Sequence, residues 1–554
     1  MFAWSTTVVW LQNKRFLRQM PRPSGPANYL LNLSEWTNPT FQVMEDLKDI
    51  AYFLTRYQVR VVDVLTNPPQ GAEKKENRYW DFYLGLRENR WKCEEDAAAY
   101  FGLLPESKAF SRLKNEVRRR LYNTLLFIDA TKPELSDYNR IAQDLMKDWA
   151  VADTLRRRGA IRAFLDLAWR CLQIALRIEH VAMVVDIAQM IKTSTFSRPN
   201  LSREYLRTKR IFDVYWPAYQ AEVNLRQGYE DFILGLAANK GYKMDRAPEA
   251  RSLAQEAQPL LEQYDHMGLH FYGRMLSVYA HTLCHNWEAG LAEANEALNF
   301  LRKKPVIINS YLTAFSQQKI GCLIMLGRHG ETRKVLAEVE TLVLEGTAGW
   351  FKNLEMTVVN ALYASDYTEA WHGVKKAVAH ERFREISSMD QETWRLMQGY
   401  LYFLVKAGMM DLHPREKSDL FKFRLTAWLN DMSLYGQDKR GANIPVLILQ
   451  MMFLLLENNT EAYYNRIEAL RKYRKRNLEP SSEHFRTDCF IRLLELPLKF
   501  PHDMEQLVEA AQPLLDKLSI ASNDVLDRTF EIEVVPYETQ WEWVLKVWMQ
   551  RRRR

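Results

Sequence analysis

The stretch N-W-E-A-G-L-A-E-A-N-E-A-L (residues 286–298) decides the fold, because its small residues recur along the chain at a fixed period. Gly290 and Ala297 are seven residues apart, about two helical turns, so both lie on one face of a helix. Small side chains there let a second helix approach closely. The other pairs with this spacing are Ala250 and Ala257, Gly330 and Ala337, Ala370 and Ala377, and Ala462 and Ala469. We predict that all five pairs pack between helices. The first four follow at 40-residue intervals, which is typical of an array of helical pairs.

These copies resemble the repeats of the tetratricopeptide family. The residues that match its turn residue, aromatic residue, Glu-Ala and later alanine are Asp366, Tyr367, Glu369, Ala370 and Ala377 and, in part, Trp287, Ala297 and Leu298. The resemblance covers residues 240–520 and implies a right-handed superhelix of stacked antiparallel helix hairpins. The period departs from the family's value of about 34, and the Trp and Leu-Gly signature of the first helix is missing. Longer helices or a related repeat class would explain both departures.

Composition also predicts an all-α chain. Among 554 residues there are 21 glycines and 20 prolines, while residues that favour helices recur throughout in amphipathic patterns. Strand-like alternation is clear in T-F-E-I-E-V-V (529–535), before Pro536. We therefore expect a short extended segment near the C-terminus and helices elsewhere.

Loops rich in proline, glycine and charge suggest soft domain boundaries. The clearest is N-P-P-Q-G-A-E-K-K-E-N (67–77). Residues 2–11 are apolar and basic residues follow them, the reverse of a secretory signal, so a transit peptide and an alternative start at Met20 both stay open. The predicted regions are an uncertain N-terminal extension (1–19), a helical head (20–130), the repeat array (131–520) and a capping tail with a basic C-terminus (521–554).

Cysteine usage and hydropathy indicate a compartment. The five cysteines are scattered with no Cys-x-x-Cys, so a disulfide framework is not expected and a reducing, cytoplasmic location fits better. The longest apolar stretch, residues 446–456, is interrupted by Gln450 and is too short for a bilayer. We expect no membrane span.

The head contains a basic helix, S-K-A-F-S-R-L-K-N-E-V-R-R-R-L-Y-N-T-L-L-F-I-D (107–129). Its apolar stripe is Phe110, Leu113, Val117, Leu121 and Leu125, and its polar stripe is Lys108, Arg112, Asn115 and Arg119. Ala98 followed by Gly102 resembles the first helix and turn of a helix-turn-helix motif, which implies DNA contact by the second helix. The turn is about two residues longer than in the standard motif. A solvated basic face is the alternative.

A second basic cluster lies in R-K-Y-R-K-R (471–476). Its basic residues are Arg471, Lys472, Arg474, Lys475 and Arg476. The formal net charge of +7 is modest for this length, because 69 acidic residues accompany 76 basic ones. Nucleic acid therefore remains an alternative partner.

Catalytic motifs are missing from the sequence. We find no G-x-x-x-x-G-K-S/T, G-x-G-x-x-G, G-x-S-x-G or H-E-x-x-H pattern. A histidine-rich run consists of His266, His270, His281, Cys284 and His285. Zinc binding there is an alternative, but its two halves lie too far apart on one helix for one site. We expect no catalytic residue, cofactor or metal.

These observations predict a non-enzymatic helical-repeat scaffold that binds a protein or peptide partner in its groove. The alternative function is a nucleic-acid-binding regulator, with a helix-turn-helix-like head and a repeat domain that senses a partner. An unrecognised enzyme is the third hypothesis.

Overall fold

The computed structural model describes residues 47, 48, 50, 51, 78–91, 93–126, 137–238, 246–412, 444–477, 485–501, 503–523 and 533–553. All regular structure in these ranges is helical and no strand occurs in them, so the described chain is all-α, as predicted. None of its described helices has both the length and the apolar character to cross a membrane. The chain divides into two compact units, one within residues 9–167 and the other within residues 168–554. The domain boundaries given above remain predictions.

The first unit is built around an aromatic cluster. Its helices are α1 (Arg78–Arg87), α2 (Glu94–Tyr100), α3 (Lys108–Leu126) and α4 (Asp137–Arg157). Phe82 is buried and its ring centroid lies 5.3 Å from that of Trp91 and 6.1 Å from that of Phe110. After α2 the chain turns at Gly102, which has a φ of +66°, and the Leu103 amide donates to the Ala98 carbonyl at 2.9 Å. The Ala98 carbonyl also accepts from the Phe101 amide at 3.1 Å, so the two bonds together close the end of the helix.

The second unit contains the remaining helices, of which the first crosses the division between the units. Up to residue 340 they are α5 (Ile161–Arg177), α6 (Val181–Thr195), α7 (Ser202–Ala238), α8 (Ala247–Gln263), α9 (Met267–Thr282), α10 (Trp287–Arg302), α11 (Asn309–Met325) and α12 (His329–Glu340). The rest are α13 (Ala348–Tyr363), α14 (Tyr367–Val378), α15 (Ser388–Lys406), α16 (Ile444–Leu456), α17 (Thr460–Asn477), α18 (Phe485–Lys499), α19 (Met504–Asn523) and α20 (Tyr537–Arg553).

Helices that are neighbours in sequence pack against each other. From α8 to α15 every helix contacts the next one, and α9, α11 and α13 also contact one another in order along the chain. Such a contact pattern, in which packing partners are close in sequence, is compatible with a helical repeat.

Five helices, α6, α10, α12, α14 and α17, begin in a common way. A residue in the left-handed region precedes each of them, namely Glu179, His285, Gly327, Ser365 or Asn458. The residues five and twelve positions later are buried: Val184 and Ile191, Gly290 and Ala297, Thr332 and Val339, Ala370 and Ala377, and Tyr463 and Leu470. The left-handed turn therefore sets which helical face packs against the preceding helix.

Four predicted packing positions need correction. Ala250 and Ala257 are buried, as are the members of the pairs at 290/297 and 370/377. In contrast, Gly330, Ala337 and Ala469 are exposed and Ala462 is half-buried. The reason is the turn: the left-handed residues at 285, 327 and 365 are spaced by 42 and then 38 residues. The third copy is thus displaced by two residues, and the fifth copy by one.

The C-terminal helix belongs to the core of the second unit. Helix α20 packs against α16, α18 and α19, and its Trp543 donates to the Tyr367 hydroxyl at 3.3 Å. The buried Arg486 donates to both carboxylate oxygens of the buried Glu533, at 2.9 and 2.7 Å. Of the predicted extended segment, the structure describes residues 533–535, which form a bend rather than a strand.

Candidate functional site

A cleft of about 360 Å³ opens between helices α12, α13 and α14. Its volume falls within the usual range of ligand clefts. Its polar lining residues are Arg333, Glu340, Asn353, Thr357, Glu369, His372 and Lys376. Its other lining residues are Leu336, Ala337, Trp350, Leu354 and Gly373. We call this set of residues the Asn353 cleft.

Asn353 contributes a buried hydrogen-bond acceptor to the cleft. Its side chain is fixed on one side, because Nδ2 donates to the Leu336 carbonyl of α12 at 3.2 Å. The residue is only 5% exposed, and its Oδ1 has no hydrogen-bond partner. An amide oxygen that is buried without a donor costs about 1–3 kcal/mol, and most such atoms in folded proteins are paired. Neighbouring atoms cover this oxygen in the free chain, so an incoming N–H or O–H group can satisfy it once side chains of the cleft move aside.

Acidic and basic side chains, joined in ion pairs, form the rim of the cleft. Arg333 donates to Glu369 at 2.8 Å and to Asp366 at 3.0 Å, and the hydrogen bond to Glu369 raises the pKa of Arg333. Lys376 lies 3.4 Å from a Glu340 oxygen and 5.4 Å from the centre of the Trp350 ring. Because these charged groups are substantially exposed, their pairs contribute little to stability and can rearrange around a ligand.

Two small residues shape the space within the cleft. Ala337 is exposed within it, as a result of the two-residue displacement of the third copy. A Cβ atom added at Gly373 would lie 2.5 Å from Val358 Cγ2, so glycine is needed there for α14 to approach α13.

A second cleft, of about 420 Å³, lies between α8, α9 and the start of α10. It occupies the corresponding place two helix pairs earlier. Its lining includes Arg251, which donates to the Cys284 Sγ at 3.4 Å, and His281. None of the residues lining this cleft has a buried polar atom without a partner in the structure as described. The orphaned acceptor therefore distinguishes the Asn353 cleft.

The histidine-rich run is packed rather than gathered into one cluster. His270 stacks on Phe300 with centroids 4.0 Å apart, and its Nε2 lies 3.0 Å from the Tyr264 carbonyl. Burial, reinforced by Arg274, lowers the pKa of His270 to about 4, and burial likewise lowers the pKa of His285 to about 4. Across the described ranges, no three His, Cys, Asp or Glu side chains are grouped in a way that could hold a metal ion.

The predicted nucleic-acid contacts have different outcomes. Lys108, Arg112, Asn115 and Arg119 all lie on the exposed face of α3. In the 471–476 cluster, Arg471 is held by Glu468 and by Glu495, whose nearest oxygens lie at 2.5 and 3.1 Å, while Lys472 is exposed. The side chains of Arg474, Lys475 and Arg476 lie outside the described part of the chain, as does that of Leu125 in the predicted apolar stripe.

Sequence reasoning missed Asn353. The available signal is its position in α13, where Asn353, Thr357 and Asn360 place polar side chains at helical spacing among mostly apolar residues. In Asn360 the orphaned atom is the Nδ2 donor instead, because its Oδ1 lies 3.0 Å from His329 Nδ1. The orphaned state of the Asn353 oxygen depends on three-dimensional packing and has no counterpart in the sequence.

Comparisons of this chain with protein-family models, with curated proteins and with solved structures found no match.

Proposed function

We propose that this protein is a non-enzymatic helical-repeat scaffold whose Asn353 cleft binds an extended peptide segment of a protein partner. In this proposal the helix pairs of the second unit stack as a right-handed superhelix. No catalytic step or cofactor is assigned. All five cysteines are free thiols, which supports the cytoplasmic location that the proposal includes.

The orphaned oxygen of Asn353 carries the proposal. An extended peptide presents backbone N–H groups at regular intervals, and each is an obligatory donor. One such group at Asn353 Oδ1 would form the hydrogen bond that the folded chain leaves unmade. The net gain from one such bond is about 1 kcal/mol, so neighbouring contacts must supply the rest of the affinity.

The charges on the rim favour a bound peptide that carries both acidic and basic side chains. Arg333 and Lys376 stand opposite Glu369 and Glu340, so a bound segment can exchange partners with either sign. The aliphatic and aromatic lining from Leu336, Leu354 and Trp350 offers an apolar side chain a place to pack. Repeat arrays commonly present surfaces of this kind.

The test is selection of binders from a displayed library of random peptides of about 12 residues, long enough to cross the cleft when extended. Binding of the selected peptides is measured by calorimetry. We expect Ala337→Leu to weaken binding by roughly tenfold, because the added side chain occupies the cleft. Ala469→Leu is the matched control, since Ala469 is also an exposed helical alanine.

A backbone N-methyl scan of one selected peptide then identifies the donor. One N-methyl position should weaken binding to the wild type by about fivefold and have no effect on Asn353→Leu, as expected for a single hydrogen bond. Equal losses for the Ala337 and Ala469 variants, or N-methyl effects that are the same in both backgrounds, would contradict the proposal.

A further inference from the structure

Helix α3 of the first unit carries an exposed basic face that the peptide-binding proposal does not use. Lys108, Arg112, Asn115 and Arg119 follow one another at intervals of four, three and four residues, so they form one stripe. At 1.5 Å per residue the stripe is about 16 Å long. The opposite face packs into the core of this unit through Phe110, Leu113, Val117 and Leu121.

Part of the positive charge on this face has no acidic partner among the described residues of the unit. Neither Lys108 nor Arg112 takes part in an ion pair with any residue in the described ranges. Glu116, the one acidic residue of α3, already accepts from Arg119 at 2.7 Å and from Arg120 at 2.8 Å. These two arginines lower the pKa of Glu116 to about 2, and Arg119 stays 64% exposed.

The preceding helix contacts the face of α3 opposite its basic stripe. Lys114 is buried and forms an ion pair with Glu94 of α2, and Ala97 and Ala98 of α2 are buried. Helix α2, the turn at Gly102 and helix α3 follow one another in the order of a helix-turn-helix motif, with a turn longer than the standard one.

Among polyanions, B-form DNA fits this face best. Its major groove is about 12 Å wide and admits an α-helix, whereas the major groove of A-form RNA is too deep and narrow for side chains to read. A lipid surface fits poorly, because the apolar face that would enter it is already buried in the unit.

We propose that the first unit binds double-stranded DNA through the exposed face of α3. Lys108, Arg112 and Arg119 contact phosphates at the edges of the major groove. Asn115, whose Oδ1 accepts from Arg118 at 2.8 Å in the free chain, exchanges this exposed bond for the base edges. Asparagine is the side chain that pairs with adenine through two hydrogen bonds, so Asn115 supplies sequence preference while the cations supply affinity. This inference is independent of the Asn353 cleft, since it rests on other residues in the other unit.

The test is fluorescence anisotropy of the full chain with a labelled DNA duplex of about 20 base pairs, over a series of NaCl concentrations. For Lys108→Gln/Arg112→Gln, the slope of log Kobs against log salt should become shallower by about 1.8, because two phosphate contacts are lost. The control, Arg157→Gln/Arg158→Gln, removes the same charge from exposed positions elsewhere in this unit and should leave the slope unchanged. Circular dichroism checks that each variant folds.

Further measurements test sequence preference and compare DNA with other polyanions. Asn115→Ala should reduce the affinity difference between the best and worst duplexes of a randomised pool, without changing the salt slope. No binding by the wild type at about 50 mM NaCl would overturn the inference, as would equal losses for the two charge variants. The inference would also be overturned if the chain bound an RNA duplex of the same length, or vesicles containing phosphatidylserine, as tightly as it binds the DNA duplex.

Discussion

Helices α10 and α12 contain the same small-residue pattern but use it differently. In α10, Gly290 is buried, and a Cβ atom added there would lie 2.8 Å from Thr282 Cγ2, so the glycine permits close helix packing. In α12, the corresponding Gly330 has no heavy atom within 4 Å of such a Cβ position, and the packing face carries Thr332 and Val339 instead. The turn before each helix, rather than the 40-residue interval, determines which residues face inward.

This difference has a functional consequence. Ala297 is buried between helices, whereas Ala337 is exposed inside the Asn353 cleft. A displacement of two residues rotates a helical face by about 200°, since each residue advances by 100°. Because of this rotation, an alanine packs between helices in one copy and lines an open cleft in the next.

The largest effect is expected from enlarging the two alanines. Ala297→Leu should lower the free energy of unfolding by about 2–3 kcal/mol, because the added atoms have no space between packed helices. Ala337→Leu should change it by less than about 0.5 kcal/mol. Urea unfolding followed by circular dichroism measures both. Equal destabilisation by the two substitutions would contradict the register described above.

A smaller effect on stability is expected at Val339, which takes in α12 the packing position that Ala297 takes in α10. Val339→Ala should destabilise the fold by about 1.5 kcal/mol, because Val339 is fully buried and loses two methyl groups. Val378→Ala in α14 is the matched control, since Val378 is exposed. In thermal unfolding, Val339→Ala should have a lower melting temperature than Val378→Ala. The reverse order would mean that Val339 does not pack against the neighbouring helix.

The smallest stability effect among the buried positions is expected at Asn353. Asn353→Leu should shift the free energy of unfolding by less than about 1 kcal/mol, because it removes an unsatisfied acceptor along with one hydrogen bond. Asn360→Leu should cost a similar amount, because it likewise removes one hydrogen bond, between Oδ1 and His329 at 3.0 Å, along with the orphaned Nδ2 atom. The two variants are compared by urea unfolding. A larger loss for Asn353→Leu would show that its oxygen is already satisfied in the free protein.

Helix identity was predictable from the sequence because helix formation depends on local pattern. Helical periodicity and the scarcity of glycine and proline predicted the all-α class. The match around Asp366 also located a real cap, since its side chain accepts from the Glu369 amide at 3.1 Å. Which residues of each helix face its neighbour was not predictable, because the spacing of the alanines stays the same when the preceding turn ends two residues earlier or later.

Features that depend on distant residues could not be read from the chain. Glu533 lies in a stretch with strand-like alternation, yet it is buried against Arg486, 47 residues earlier in the sequence. The orphaned oxygen of Asn353 likewise results from the packing of α12 against α13. The basic stripe of α3 was predicted, because amphipathic periodicity assigns one face to the core and the other to solvent.

The central claim is that the Asn353 cleft receives an extended peptide, and photo-crosslinking tests it most directly. Glu340 lines the cleft, whereas Glu338 does not line it, although both side chains are 60% exposed on the same helix. Each is replaced in turn by p-benzoylphenylalanine, and the chain is irradiated with a peptide selected for binding. We expect a covalent adduct from position 340 and none from position 338. An adduct of equal yield at both positions, or at position 338 alone, would contradict the claim.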